Sequence, residues 1–104
     1  MTWGTTPEAD ADLIRGREWI EKDNPEAAQR FLKTARECFD HLGNFPDLGM
    51  QAQFKDKKLQ GVRFCVLAPP FNKWLAFYRV TEIVEIIRVL YGTQNWREEP
   101  ERFF

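Results

Sequence analysis

The sequence predicts an α+β fold in which an N-terminal helical hairpin packs on a small, mainly antiparallel β-sheet. Two observations lead to this prediction. Hydrophobic residues recur at helical spacing up to about residue 42, and from residue 62 onward they form short β-type runs. With 104 residues, 43% of them hydrophobic and 14% aromatic, the chain can bury one core, which excludes disordered and fibrous classes. We therefore expect a single domain over residues 1–104, with helices grouped on one sheet face.

The first helix is predicted over about residues 7–22. Thr6 is a suitable N-cap and Pro7 fits the first helical position. Ala9, Leu13 and Ile20 follow at roughly helical spacing, with Trp19 beside Ile20.

The second helix is predicted over about residues 25–42, beginning at the Asn24-Pro25 pair and ending at Gly43. Its apolar stripe consists of Ala28, Phe31, Leu32, Ala35, Phe39 and Leu42. Because so few residues separate the two helices, we expect them to form an antiparallel hairpin.

Three strands are predicted in the second half, at residues 62–67, 74–80 and 83–91, and residues 3–5 are a candidate edge strand. The turn-rich residues 43–60 should contain little regular structure. The last strands are followed by a short C-terminal tail, residues 93–104.

The hairpin formed by the last two strands should be apolar on both faces. A two-residue turn at Thr81-Glu82 predicts the opposed pairs Arg79 with Val84, Phe77 with Ile86 and Leu75 with Arg88. Two helices can cover only one of the two faces. The other face needs a cover, for which we favour a partner protein or a second copy over the tail with Phe103-Phe104 alone.

Charge is unevenly distributed, although the net charge is only -1. Residues 51–88 hold seven Lys/Arg against three acids. This basic half could face an anionic partner, and the alternative is an ordinary mixed surface.

Neither metal nor cofactor is indicated. Cys38 and Cys65 are the only cysteines and His41 is the only histidine, and no metal-ligand spacing involves them. We expect both thiols to be reduced and buried, and His41 to be structural or solvated. The first residues contain no apolar signal core and no stretch is long enough to span a membrane, so a soluble, cytoplasmic protein is expected.

Four segments in order resemble one known family. They are ADLIRGREWIEKDNPEAAQRFL, the Pro69-Pro70 pair, WLAFYRV and VEIIRVLYG. Together they resemble toxins of the RelE/ParE superfamily from type II toxin–antitoxin systems, and within it the ParE-like, plasmid stabilisation type. The resemblance covers about residues 8–95. It implies the α+β fold and a cognate antitoxin whose segment covers apolar surface of the toxin.

The resemblance leaves the activity open. RelE-type members cut messenger RNA on the ribosome, and several have an Arg opening the first strand motif and a His-Tyr pair ending the last strand. Leu75 and Tyr91-Gly92 stand at those positions here. This departure favours the ParE-type activity, which is growth inhibition by binding DNA gyrase without catalysis. The alternatives are a ribosome-dependent endoribonuclease and a non-toxic interaction protein of the same fold.

Candidate site residues follow from these hypotheses. A nuclease would use Arg63, Arg79, Arg88 and Tyr91. Binding of gyrase or the ribosome would use Lys73, Arg79, Arg88 and Tyr91. Contact with the antitoxin would use Trp74, Phe77, Phe103 and Phe104, and a homodimer is a further expected partnership to which no residues are assigned. The alternative for Arg79 and Arg88 is that they pair with Glu82 and Glu85, or lie along the sheet with buried stems.

Overall fold

Two N-terminal helices pack against one face of a five-stranded sheet in the computed structural model, which describes residues 2–92 and 94–104. The elements are β1 (Trp3–Thr5), α1 (Pro7–Glu21), α2 (Pro25–Asn44), β2 (Met50–Gln51), β3 (Arg63–Val66), β4 (Trp74–Val80) and β5 (Val84–Tyr91), with short 3-10 turns at Lys57–Leu59 and Pro100–Arg102. The predicted α+β fold with its helical hairpin is confirmed.

Both helices begin at the predicted residues because local capping determines these ends. The Thr6 hydroxyl accepts a hydrogen bond from the Ala9 amide, and the Asn24 side chain accepts one from the Ala27 amide, both at 3.1 Å. The predicted end is two residues too early, since α2 continues past residue 42 and through Gly43 to Asn44. Gly43 is buried within α2, so it does not end the helix.

The sheet order is β1-β5-β4-β3-β2, and every pair is antiparallel except β1 with β5. The candidate edge strand at residues 3–5 is therefore confirmed. The two-residue β2 was not predicted, because it lies within the turn-rich segment 43–60 and owes its existence to its pairing with β3.

The predicted register of the last hairpin is wrong. Val80 lies opposite Val84, and Arg79 lies opposite Glu85, so three residues form the connection. The Thr81 amide donates to the Ile83 carbonyl at 2.9 Å inside it. Two-residue hairpin turns need Gly or Asn in left-handed backbone conformations, and Thr81-Glu82 supplies neither.

A bulge shifts the register of this hairpin a second time. Tyr78 lies opposite Ile86, whereas Phe77 lies opposite Arg88, so Ile87 is the extra residue. As a result Leu75 faces Leu90 and not Arg88.

Both sheet faces are apolar, as predicted, and each carries its own core. The helix-side cluster includes Phe31, Phe39, Ala76, Tyr78, Ile86 and Val89. The cluster on the other face includes Phe54, Val62, Phe64, Phe77, Leu90 and Trp96, with Phe103 and Phe104 packed against it. The tail and the segment before β3 thus cover the second face within one chain. The preference for a partner or a second copy as this cover was wrong.

None of the helices in the described part of the chain has the length and apolar character needed to cross a membrane.

Candidate functional site

A buried carboxylate joins α1 to β5. Among the described residues, Asp12 is the one charged side chain that is buried, with 4% of its surface exposed. It accepts four hydrogen bonds. The donors are Arg88 Nε at 2.7 Å, Arg88 Nη2 at 2.9 Å, the Val89 amide at 2.9 Å and Arg15 Nη2 at 2.5 Å. The lone pairs of the carboxylate are therefore satisfied, which makes its burial tolerable.

This arrangement follows from the way the chain passes from β1 into α1. β1 pairs with β5 only as far as Ile86, after which α1 runs beside the same strand edge. The Thr6 hydroxyl donates to the Ile87 carbonyl at 2.9 Å, and Asp12 accepts from the Val89 amide. The side chains of Thr6, the N-cap of α1, and of Asp12 thus replace the missing strand and satisfy backbone groups of β5.

Arg88 connects three parts of the fold. Besides its two bonds to Asp12, its Nη1 donates to the carbonyl of Phe103 in the tail. The hydrogen bond to Asp12 raises the pKa of Arg88, and partial burial opposes this change. Arg88 is therefore a permanently charged group whose charge is paired inside the protein.

Two open grooves flank Arg88. The first has a volume of about 510 Å³, and its lining includes Arg15, Trp19, Trp74, Arg88, Tyr91 and Gln94. The second has a volume of about 380 Å³, and its lining includes Glu8, Lys58, Arg79, Arg88, Phe103 and Phe104. The Asp12–Arg88 pair therefore forms part of the boundary between an aromatic groove and a mixed, charged one.

The aromatic groove is closely packed at its base. The Trp74 ring contacts Tyr91 edge-to-face at 5.3 Å between centroids and lies 4.9 Å from the Phe31 ring. A Cβ atom at Gly16 would lie 3.0 Å from both Phe31 and Trp74, so a larger residue there would require these rings to shift by a few tenths of an ångström. Trp19 also lines the groove and is 70% exposed, so it adds an accessible aromatic surface to this groove.

Comparison with known proteins identifies the family. Residues 5–96 match the family described as the ParE toxin of type II toxin–antitoxin systems, parDE. The chain belongs to the ParE toxin family. A relative in Sinorhizobium fredii, described as the putative toxin Y4kP, is 32% identical over 78 residues, which is 75% of this chain and 74% of that protein.

A solved structure supports the fold. The structure titled "Chromosomal ParDE TA system from P. aeruginosa" matches with a TM-score of 0.69 over 88% of this chain and 95% of that one. At 22% identity this likeness concerns the fold alone. The predicted membership of the RelE/ParE superfamily is confirmed.

The four candidate nuclease residues of this ParE-family chain do not line one cavity among the described residues. Arg88 and Tyr91 line the aromatic groove, whereas Arg79 and Arg88 line the second groove. Arg63 lines neither, and its Nη1 donates instead to the Gly49 carbonyl at 2.8 Å. Arg63 therefore helps to hold the loop before β2.

Of the two alternatives for Arg79 and Arg88, pairing with Glu82 and Glu85 is not observed among the described residues. Arg88 pairs with Asp12, and Arg79 donates to the Lys58 carbonyl at 2.7 Å. Arg79 does lie opposite Glu85 in the register, but no ion pair joins the two side chains in the described residues.

The remaining predicted residues differ in accessibility. Lys73 is exposed, and its carbonyl accepts from the Gly92 amide at 2.6 Å. Trp74, Phe103 and Phe104 are partly exposed and line the grooves. Phe77 is 0% exposed beneath the tail, so a partner could reach it only after the tail had moved.

The burial of Asp12 could have been predicted from the sequence, although Asp12 was not among the candidate site residues. Ala9, Asp12 and Gly16 follow at helical spacing, and all three are buried in α1. An acid on the buried stripe of a helix requires a partner, because an unpaired buried charge is very costly. The identity of that partner depends on the bulge in β5, which no local pattern indicated.

Proposed function

We propose that this chain is the toxin of a type II toxin–antitoxin pair, that it acts in the cytoplasm by binding DNA gyrase without cutting RNA, and that a cognate antitoxin neutralises it. The observation that carries the non-catalytic part is the Asp12–Arg88 pair. It engages Arg88, which lines the aromatic groove together with Tyr91.

RNA cleavage makes geometric demands, and the placement of the candidate residues supports a function without cleavage. The reaction needs a group that activates the 2′-hydroxyl, cations for the phosphate and an acid for the leaving oxygen, all converging on one phosphate. Arg63 and Arg79 bind backbone carbonyls in separate places, and Arg88 is paired. A function through protein binding requires no such convergence.

The target-binding surface is proposed to include Lys73, Arg79, Arg88 and Tyr91. Lys73 is the most accessible of these, and it lies in the connection that leads into β4. Arg88 is proposed to contribute mainly by holding the groove in shape, since its charge is already partnered.

The antitoxin is proposed to lie in the aromatic groove and across the tail, contacting Trp74, Phe103 and Phe104. Exposed Trp19 provides apolar area that a folded segment of the antitoxin would bury. Membership of the ParE toxin family is what indicates that such a partner exists.

The test combines two assays of the purified protein with one measurement in cells. Purified protein is added to gyrase in a supercoiling assay and to a translation extract in which ribosome-bound messages are mapped, and expression is induced in growing cells. We expect growth arrest, blocked supercoiling and intact message. Lys73→Ala should weaken the inhibition several-fold, and the matched control Lys33→Ala, an exposed lysine on α2, should not.

Other outcomes contradict the proposal in distinct ways. Message cleavage with normal supercoiling would establish the endoribonuclease alternative. Normal growth on induction, with folded protein present, would indicate a non-toxic interaction protein.

A further inference from the structure

The sheet ends at β2, the short strand that pairs with β3 and has no strand on its other side. The Ala52 amide, directly after β2, donates to the Val62 carbonyl at 3.0 Å and therefore faces β3. Because successive residues of a strand direct their peptide groups to opposite sides, the N–H and C=O of Gln51 face away from β3. One donor and one acceptor are thus presented side by side at this edge of the sheet.

The apolar side chains nearest to this edge are exposed, although the loop that carries them is ordered. Leu48 exposes 55% of its surface and Met50 exposes 67%. The Tyr78 hydroxyl donates to the Pro46 carbonyl at 2.7 Å and accepts from the Gly49 amide at 2.9 Å. A Cβ atom at Gly49 would lie 2.6 Å from the Tyr78 oxygen, so the loop packs directly on this side chain. Fixed backbone hydrogen bonds therefore hold Leu48 and Met50 at the surface, as at an interaction site.

The end of β3 beside β2 is also partly open. The last residue pair of β2 with β3 is Met50 with Phe64, so β3 has no strand beside it beyond Phe64. Cys65 in this part of β3 is partly exposed, as is Cys38 on α2. The expectation that both thiols would be buried was therefore wrong.

We propose that a second copy of this chain binds at this edge, so that the β2 strands of two copies pair antiparallel about a twofold axis and join their sheets. An axis at Gln51 places this residue opposite its equivalent in the other copy, and each Gln51 N–H then donates to the other carbonyl. The strand is self-complementary in this arrangement, as a twofold interface requires. Neither groove at Arg88 is lined by β2, so the inference does not depend on the proposed target.

The apolar residues beside Gln51 are matched across such an axis. In this register Met50 of one copy lies opposite Ala52 of the other, and their side chains share one sheet face. Ala52 belongs to the cluster beneath the tail, at the margin of which Met50 is exposed. Each copy would therefore extend the second apolar cluster of the other and remove the exposed Met50 from water.

Charges on the two flanks of β2 are complementary as well. Asp47 precedes Gln51 by four positions and Lys55 follows it by four positions. The Asp47 side chain is 94% exposed despite its contact with Arg63 at 3.9 Å, and Lys55 is exposed. Antiparallel pairing brings the flank before one strand to the flank after the other, so each Asp47 approaches the Lys55 of the other copy. Such exposed pairs add little affinity, but they help to specify the register.

The size of the interface limits its strength. Backbone pairing can extend only as far as Gln53, whose positive φ turns the chain out of the strand direction. Two backbone hydrogen bonds and a few side chains bury less than the area of about 800 Å² per partner that is typical of stable complexes. We therefore expect a weak dimer with a dissociation constant on the order of 100 µM.

Sedimentation equilibrium of the full-length chain under reducing conditions tests the backbone pairing. Gln51→Pro removes an N–H that faces away from β3, so the monomer loses no hydrogen bond and should still fold. We expect this variant to associate at least about tenfold more weakly than the unaltered chain. Gln51→Ala retains the N–H and is the matched control, which should associate normally. A chain that stays monomeric at millimolar concentration, or equal association of the two variants when both are folded by circular dichroism, would overturn the proposal.

Surface variants that leave the backbone intact test the register. Asp47→Lys and Lys55→Asp should each weaken association several-fold, and the double variant should restore it because the charges are exchanged. Met50→Glu should abolish measurable association. Ile14→Glu is the matched control, since Ile14 is an exposed apolar residue on α1, and it should have no effect. A double variant that associates no better than the single ones, or equal effects of the two Glu substitutions, would contradict the pairing of β2 with its own copy.

Discussion

Asp12 shows how one buried charge can organise several elements. Its carboxylate gains nothing from burial alone, because removing an ion from water costs several kcal/mol. Four donors compensate that cost, and they come from α1 itself, from the β5 side chain Arg88 and from the β5 backbone. The carboxylate therefore contributes to stability only as part of this set.

Replacing Asp12 by Asn tests this dependence. The amide NH2 group of Asn would face N–H donors of Arg88 and could not accept from them. The guanidinium of Arg88 would also lose its negatively charged partner. We expect the free energy of unfolding to fall by about 3 kcal/mol, measured by urea denaturation followed by circular dichroism. Glu18→Gln is the matched control, since Glu18 is an exposed acid on the same helix. If the two variants were equally stable, the carboxylate would have no anchoring role.

The burial of Asp12 was predictable from the sequence, but its partner was not. Its position between Ala9 and Gly16 on one helical stripe is a local property that spacing reveals. Arg88 lies 76 residues further along the chain, and its approach to Asp12 depends on the bulge in β5 and on the end of β1. Tertiary geometry of this kind leaves no local signature.

At the level of elements, local chemistry explains which predictions succeeded. The helix starts were found because Thr6-Pro7 and Asn24-Pro25 combine a side-chain cap with a proline in the first turn. The β4–β5 register was missed because Thr81-Glu82 does not determine a turn type. A shift of the register by one residue changes which side chains lie opposite each other. The predicted cross-strand pairs of β4 and β5 were therefore incorrect.

The tail is the element whose role differs most from expectation. Phe104 contacts Phe54 and Phe77 with ring centroids 5.1 and 5.0 Å away, and Arg88 holds the neighbouring Phe103 carbonyl. The chain reverses direction after β5, and this reversal brings the tail back over β4. The contact between the tail and β4 could not be predicted without it. The sequence indicated that the face needed a cover, and the structure assigns that cover to the tail.

Phe104→Ala should uncover part of the second sheet face. Because the ring is only partly buried, we expect a loss of about 2 kcal/mol in the free energy of unfolding, below the full cost of removing a core phenylalanine. Binding of an apolar dye to the folded protein should also increase. The matched control is Phe45→Ala, because Phe45 is 59% exposed. Equal effects from the two variants would show that the tail does not protect this face.

For the molecule as a whole, the decisive feature is that both apolar clusters share β4 and β5. Ala76 and Tyr78 belong to the helix-side cluster, whereas Leu75 and Phe77 belong to the cluster beneath the tail. Neither cluster can lose its packing without disturbing the strands that support the other. The chain should therefore unfold as one cooperative unit, as the prediction of a single domain requires.

The four tryptophans allow this to be measured in one sample without mutation. With fluorinated tryptophan incorporated, fluorine NMR should show that the native signals of Trp74 in the helix-side cluster and Trp96 in the other cluster disappear at the same urea concentration. Trp19 is largely exposed and serves as an internal reference whose chemical shift should change little. A lower midpoint for Trp96 would show that the tail and its cluster open independently. The second sheet face would then be available to a partner in the folded protein, including the Phe77 contact that the sequence predicted for the antitoxin.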